Sequence, residues 1–471
     1  MPLNTEQQHA YDSIMNGDSV FLTGEAGTGK SYLLNQVMAE FDKKHIDYAV
    51  AAPTGIAAVN IEGVTIHRLL SILPSTNLMG RLTFRTKDSL IFGPNCKILI
   101  VDEISMCRAD LFTYLMGAIH YAERRYGIKM QLIFVGDYSQ LPPVVQRYDR
   151  NADIMKSHFG SYFAFKTPAW IDRHLKVIIL HQIIRQSDLD FTKALNQIRD
   201  GDQTGIKYVN EHSAKQPIAD AITITGTNRT ANAINAERLA NLDAKDYVFH
   251  AQIAGRFNKS AYPTNEDLTL KVGAQVMIIA NGHDDYSDED YFNGQIGTLV
   301  SIDTGMQKST LRHPDRISKP DFDAPFSVGN SALVLTVMLK DGQRVHLTWH
   351  EWNMYSYSKN GNQVDKDSIA SFIQVPLKLA YAITIHKSQG QTYDAVNLRP
   401  EIFEAGQLYV ALSRVRSLDH LYLSQKLTPS MVMTNREVTE FYDQLMHATK
   451  PGATSPANQS FADWLDKHLF N

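Results

Sequence analysis

From the N-terminus to about residue 145, short continuous apolar runs alternate with stretches of helical period. The runs Ser19–Thr23, Tyr48–Ala52, Lys97–Val101 and 130–135 read as strands buried on both faces. Between them lie helix 5–16, a helix over Ser31–Glu40 with Leu33, Leu34, Val37 and Met38 at helical spacing, and a helix near 108–125. Strands joined by crossover helices predict a parallel sheet in an α/β domain. A second such pattern starts near Trp170. It holds Val177–Leu180, a helix near 188–200, Ala221–Ile224 and a helix over Asn228–Ala240. The pattern breaks off and resumes at about 372, with strands Phe372–Val375, Ala395–Leu398 and Leu421–Leu423 and a helix over Gly406–Arg416.

The interruption, about 251–371, has a different period. Short β runs (Lys271–Ala280, Gln295–Ile302, Ala332–Leu339) are separated by polar loops. Lys340-Asp-Gly-Gln343 is a hairpin turn signal, with Arg344–Trp349 as its return strand. These features predict a small antiparallel β-barrel inserted into the second α/β domain. A lesser insertion, about 71–95, carries the loosely alternating run Arg81–Phe92 and predicts a β-hairpin. Residues 449–460 read as a linker, and Phe461–Phe470 as a short terminal helix.

Composition narrows the class. At 471 residues, 44% hydrophobic and 20% charged, the chain is that of an ordinary globular protein of about three domains. No apolar run reaches the ~18 residues of a membrane helix, and the N-terminus lacks the basic and apolar regions of a signal peptide. Membrane partners are therefore not expected. Two cysteines, Cys96 and Cys107, lack metal-ligand spacing and fit a reduced compartment. The net charge of −4 gives no global field for nucleic acid, so any such site must be a local groove.

The chemistry enters at Gly24-Glu-Ala-Gly-Thr-Gly-Lys-Ser31, a full match to G-x-x-x-x-G-K-[ST] between a strand and a helix. Gly24, Gly27, Thr28 and Gly29 supply backbone N–H groups to phosphates, Lys30 reaches the β/γ-phosphates, and Ser31 ligates Mg²⁺. The Lys97–Val101 run exits in Asp102-Glu103. Asp102 is suited to hold Mg²⁺, and Glu103 to orient or deprotonate the attacking water of ATP hydrolysis. Gln140, in Gly136-Asp-Tyr-Ser-Gln140, would stand beside the γ-phosphate if the strand before it neighbours 97–102, and a neutral amide there can report whether the phosphate is present. Arg414 and Arg185 are candidates for a second-domain arginine that stabilises transition-state charge.

In order along the chain, Leu3–Gln7, Gly24–Ser31, Ala52–Ala58, Gly63–His67, Val101–Ser105, Gly136–Val144, Ile184–Gln186, Gly226–Arg229, Lys271–Met277, Asn293–Gly297, Ile383–Gly390 and Tyr409–Arg416 resemble the motifs of the petite-integration-frequency family of DNA helicases, in the RecD-like (1B) branch of superfamily 1. The match covers about residues 3–425. The resemblance implies two RecA-like domains, 1–168 (with the 71–95 subdomain) and 169–250 plus 372–448. The 251–371 barrel is inserted in the second, and 449–471 is left as linker and tail. It implies that Gln7 reads adenine, that Gln140 senses the γ-phosphate, and that Arg185 and Arg414 are two arginine fingers. It also places Thr54, His67, Thr384, His386 and Lys387 along a single-strand groove, where hydroxyl, imidazole and ammonium groups suit phosphate contacts. In the 81–92 hairpin, Phe84 and Phe92 are expected to cap an exposed base pair by stacking, as a duplex-splitting pin.

The reading is thus an Mg-ATP-driven helicase that moves 5′→3′ on single-stranded DNA and opens forks and duplexes. It is expected to act as a monomer on DNA, with replication, repair or recombination proteins as further partners and an address in the cytoplasm and nucleoid, nucleus or mitochondrion. An RNA-directed helicase, and a nucleotide-switched DNA-binding subunit of a recombination or conjugation complex, remain as alternatives.

Overall fold

Six parallel strands form the first sheet, in the order Val64–Thr65, Tyr48–Ala52, Ile98–Val101, Gln131–Val135, Val20–Gly24, Lys176–Leu180. Four parallel strands form the second, in the order Ala382–Thr384, Ile222–Thr225, Val396–Leu398, Leu421–Leu423. This is a computed structural model. It describes residues 2–72, 78, 82, 86–87, 90–145, 150–184, 188–255, 257, 259–284, 286–287, 289–307, 331–360 and 363–448.

One boundary moves. Lys176–Leu180 lies beside Val20–Gly24, in register from Val20↔Lys176 to Gly24↔Leu180, so the first domain continues past residue 168 to at least 180. A short apolar run fits the edge of either sheet equally well. Here Ile178 and Leu180 complete the core beneath the phosphate loop, with Leu22, Leu33, Leu34 and Val135. The close pairing also explains a glycine. Gly24 has φ +148°, and a Cβ there would collide with the Leu180 carbonyl.

The insertion is antiparallel. Arg344–Leu347, Ser331–Leu339, Ile296–Gln307, Gln275–Ile278 and Leu377–Leu379 form a five-stranded sheet over a core that includes Val276, Leu299, Leu335, Val337 and Val345. The expected hairpin turn is present, with Gly342 N donating to Leu339 O and Leu339 N to Gln343 O. Phe372–Val375, expected as a parallel strand, falls largely in Gln363–Gln374. That strand pairs antiparallel with His350–Asn360 and Gln252–Gly255. The parallel strand is instead Ala382–Thr384, too short at three residues to show a pattern. The His350–Asn360 strand reaches across to the first domain, where Arg68 Nη1 approaches Met354 Sδ at 3.2 Å. Ala261 packs so closely on Gly55 that a Cβ there would approach it at 2.6 Å. The insertion therefore closes one side of the interdomain space.

The 71–95 segment departs from expectation. Among its described residues none is in a strand, and Thr86 and Lys87 lie in a helical turn. Leu78, Leu82, Leu90, Ile91 and Phe92 are all buried in the first-domain core. Thr86 is buried too, its hydroxyl donating to Leu70 O at 3.1 Å and lying 3.1 Å from the Tyr114 hydroxyl. Phe92 is 0% exposed and so cannot present a ring to a base pair. The alternation came from apolar residues that fill a core, not from a two-faced strand. Phe84, the other expected wedge, and Arg81 and Arg85 lie outside the described residues, as does Arg185.

The helix Arg436–Ala448 returns to the first domain. Its Val438 and Phe441 join that core, and Phe441 stacks on Phe165 with ring centroids 4.2 Å apart. Cys96 and Cys107 are buried free thiols. No helix among the described residues is long and apolar enough to cross a membrane. The 449–471 linker and tail lie outside the described residues.

Candidate nucleotide site and nucleic-acid groove

The strand Val20–Gly24 runs into the glycine loop, and the helix Lys30–Lys43 leaves it. Gly27 and Gly29 have φ of +87° and +82°, which L side chains rarely adopt. Lys30 Nζ curls over the loop and donates to Gly24 O at 2.8 Å and Glu25 O at 3.0 Å. Burial pulls its pKa down, while Asp137, Glu103 and Asp102 pull it up. Gln7 belongs to a capping box, with Asn4 N donating to its Oε1 at 3.1 Å. Its Nε2 donates to Thr28 O at 3.0 Å, so helix Thr5–Met15 is stitched to the loop. A Cβ on Gly29 would fall on that amide nitrogen. Ser31 is exposed on the first turn of the helix, toward solvent.

Strand Ile98–Val101 ends at the two acids. Glu103 takes a left-handed backbone, φ +51°, and its N–H donates to Asp102 Oδ1 at 2.9 Å. Burial raises both carboxyls. Glu103 reaches about 7, pushed by burial and then by Asp102, against the pull of Lys30 and Arg414. A carboxylate held near neutrality by such an environment suits a base. Its Oε2 accepts from Gln389 Nε2 at 3.0 Å, and that amide lies 3.4 Å from Gln140 Oε1. Gln140 in turn donates to Asp137 Oδ2 at 3.4 Å.

The second domain meets this site at three further points. The Tyr409 hydroxyl accepts the Ala26 N–H at 2.7 Å, and a Cβ on Gly406 would strike the Gln140 carbonyl. Arg199, at the end of helix Leu189–Arg199, donates to Asp137 Oδ1 at 3.3 Å. Its guanidinium stands 4.8 Å from the Tyr442 ring centroid. Tyr442, on the C-terminal helix, donates to the same Asp137 oxygen at 3.0 Å and accepts from Tyr138 N at 3.1 Å. A cavity of about 490 Å³ opens here, with Gly24, Glu25, Gln140, Arg199, Gly406 and Tyr409 in its wall.

Arg414 takes a different place from a finger aimed at phosphate. It is 1% exposed. Its Nε donates to Val410 O at 2.7 Å, its Nη1 to Ser388 O at 3.0 Å and Gln391 O at 2.9 Å, and its Nη2 to Ser413 Oγ at 2.7 Å. In this arrangement it clamps the 388–391 loop. Among the described residues, Arg199 is a second-domain cation whose charge acts on Lys30.

A second cavity, of about 270 Å³, has Glu103 in its wall. Thr54, His386 and Lys387 line it as expected of a groove, and Tyr262, Trp352 and Lys378 from the insertion side complete it. Thr54 also caps the helix Gly55–Asn60, accepting Ala57 N at 3.3 Å. His67 is half-buried, burial lowers its pKa, and it does not line this cavity. Thr384 is 3% exposed, and its hydroxyl accepts the Lys387 N–H at 3.3 Å. It shapes the loop rather than facing the groove. Lys378 sits beside Lys387, and burial followed by that charge pushes its pKa down to about 8.

Sequence reasoning missed Arg199, Gln389, Tyr409, Tyr442 and Lys378 as site residues. Gln389 and Tyr409 were inside quoted motifs. Nothing local marks Arg199, Tyr442 or Lys378, because their elements converge only in the fold.

The donor set fits magnesium held through a nucleotide. No cluster of three or more His, Cys, Asp or Glu among the described residues forms a closed metal cage. Mg²⁺ characteristically uses one or two carboxylates together with phosphate oxygens. Asp102, whose carboxyl feels the charge of Lys30, would provide such a ligand, and Ser31 a hydroxyl.

A phosphate loop and paired acids on one parallel sheet, faced by a second parallel-sheet domain, define a two-domain P-loop NTPase. The family model for PIF1-like helicase matches residues 2–207. The chain is 30% identical to the ATP-dependent DNA helicase Pif1 of Psychrobacter sp., over 89% of this chain and 67% of that one. It is also 30% identical to the Pif1 helicase of Bdellovibrio bacteriovorus, over 94% and 92%. Against Pif1 from Bacteroides sp. in complex with ADP-AlF4 the identity is 28% and the TM-score 0.76, covering 95% of this chain and 98% of that one. The unliganded form of that protein gives 0.75, with coverage of 97% and 100%, and the form bound to single-stranded DNA gives 0.62, with 95% and 98%. This chain belongs to the PIF1-like helicase family.

Proposed function

We propose that this chain is an ATP-driven DNA helicase that moves 5′→3′ on single-stranded DNA and opens duplex at forks. The observation that carries the reading is the position of Glu103. Its carboxyl feels the charge of Lys30 in the phosphate loop and lines the same cavity as His386 and Lys387. One residue thus faces both fuel and track, which a motor needs and a passive nucleotide-binding subunit does not.

The loop from Gly24 to Ser31 binds the triphosphate, Lys30 transferring its ammonium from the loop carbonyls to phosphate oxygens. Ser31 and Asp102 would hold Mg²⁺, which neutralises phosphate charge and orients the terminal phosphate. Glu103 aligns the attacking water and accepts its proton, and Gln140 reports the γ-phosphate to Asp137 and Arg199. Gln7 turns its amide to the adenine edge. Thr54, His386, Lys387 and Lys378 contact the strand backbone, and Tyr262 offers a stacking face. The direction of travel follows the resemblance of the motifs, and the similar structures of Bacteroides Pif1 bound to single-stranded DNA and of two coordinating Pif1 helicases at forked double-stranded DNA support the choice of track.

The test is steady-state ATPase of the full chain with and without oligo-dT, together with unwinding of substrates bearing 5′ or 3′ tails. Wild type should be strongly stimulated and should open only 5′-tailed duplex. Glu103→Gln should bind ATP and DNA yet turn over about 10²-fold more slowly or worse. Near-normal turnover by that variant removes Glu103 as the base, and indifference to oligo-dT removes the motor.

A further inference from the structure

The hydrogen bond between Gln389 and Glu103 crosses from the second domain to the first. One amide nitrogen lies 3.0 Å from the Glu103 carboxylate and 3.4 Å from the Gln140 amide oxygen. Base and phosphate sensor are therefore held by a single side chain. Two residues before it stands Lys387, exposed on the His386–Ser388 turn and in the wall of the groove. The loop is tied together, because Arg414 binds the carbonyls of Ser388 and Gln391 on either side of Gln389.

We infer that Gln389 is a positioning residue that restrains Glu103, and that a DNA phosphate captured by Lys387 on the same loop draws Gln389 away and frees the base. This rests on the reading of the groove as a single-strand site. The physical chemistry is direct. A carboxylate oxygen that accepts a charge-assisted hydrogen bond is a weaker proton acceptor and points at its donor rather than at water. Removing the donor raises the activity of the base. The ammonium of Lys387 and the amide of Gln389 share a short turn clamped by one guanidinium, so a pull on the first reorients the second. Stimulation of ATPase by DNA then comes from release of a restraint already built into the protein.

The test uses Gln389→Met, which keeps length and volume but has no N–H to donate, and Gln389→Asn, which keeps the amide but is one methylene too short to reach Glu103. Steady-state ATPase is measured on the full chain, without DNA and at saturating oligo-dT. Both variants should turn over about 10-fold faster than wild type without DNA, with KM for ATP within about threefold. At saturating oligo-dT their kcat should stay within about threefold of wild type, so that the ratio of stimulated to unstimulated rate collapses. A DNA-independent rate that is unchanged or lower overturns the inference, because a residue needed only for structure or for binding ATP cannot raise that rate when removed. The two readings fail separately. Wild type that ignores oligo-dT overturns the groove assignment itself, whereas wild type that responds while both variants stay slow without DNA overturns the role of Gln389 alone.

Discussion

The Tyr409 hydroxyl accepts the Ala26 backbone N–H at 2.7 Å, so a side chain of the second domain occupies a donor of the phosphate loop. Burial raises the Tyr409 pKa, and the phenol stays protonated. A phosphate oxygen seeks the same N–H. Nucleotide binding and domain contact therefore compete at one atom. Tyr409→Phe should free the N–H and tighten ATP by about 2- to 10-fold, the worth of one hydrogen bond. Titration with a fluorescent nucleotide measures this, and weaker binding by the variant would show that the hydroxyl supports the loop instead.

Arg414 separates two roles by their stability signatures. As a clamp, its loss removes the charged donor that the carbonyls of Val410, Ser388 and Gln391 share. Arg414→Ala should then cost about 3 kcal/mol or more in urea unfolding, since hydrogen bonds to a charged group contribute ~1.5–3 kcal/mol each. An arginine finger would instead leave the unfolding midpoint in place and cut turnover by ~10³ or more.

Lys378 gives a pH signature. Its pKa lies at about 8, lowered by burial and by Lys387. A DNA phosphate in the groove favours the ammonium and raises that pKa, so binding above pH 8 takes up a proton. Affinity for oligo-dT should therefore be full near pH 7 and should fall as pH rises through 8 toward the pKa of the complex. Lys378→Met should bind more weakly at pH 7 and lose that slope. Fluorescence anisotropy at constant ionic strength reads both, and identical pH profiles would remove Lys378 from the contact set.

Phe92 is now a core residue, with its ring against the first-domain core. Phe92→Ala should destabilise the domain by ~3–5 kcal/mol through cavity formation. A variant with unchanged thermal stability and a selective loss of unwinding would restore the wedge role.

The nucleotide half of the site was legible because it is local. Gly24–Ser31 needs only a strand before it and a helix after it, and glycine at positive φ, lysine and serine at fixed spacing dictate the cradle. The same holds for Asp102 and Glu103 at the exit of a buried apolar run. The antiparallel character of the insertion and its hairpin at Lys340–Gln343 follow from turn chemistry, again over a few residues. By contrast, the sheet that Lys176–Leu180 joins is settled by its fit beside Gly24, because five apolar residues carry no address. Phe92 reads as a wedge or as core with equal ease until the first-domain core encloses it. Arg414 leaves its expected place, and Arg199 arrives unannounced, for the same reason. A guanidinium goes where the fold leaves buried acceptors, Val410, Ser388 and Gln391 for one and Asp137 for the other. The sequence by itself determined the bond-level chemistry of the phosphate loop and the acids. Only the tertiary structure decided which distant side chains, Gln389, Tyr409 and Tyr442 among them, arrive at that chemistry, since their positions depend on domain packing that no local spacing encodes.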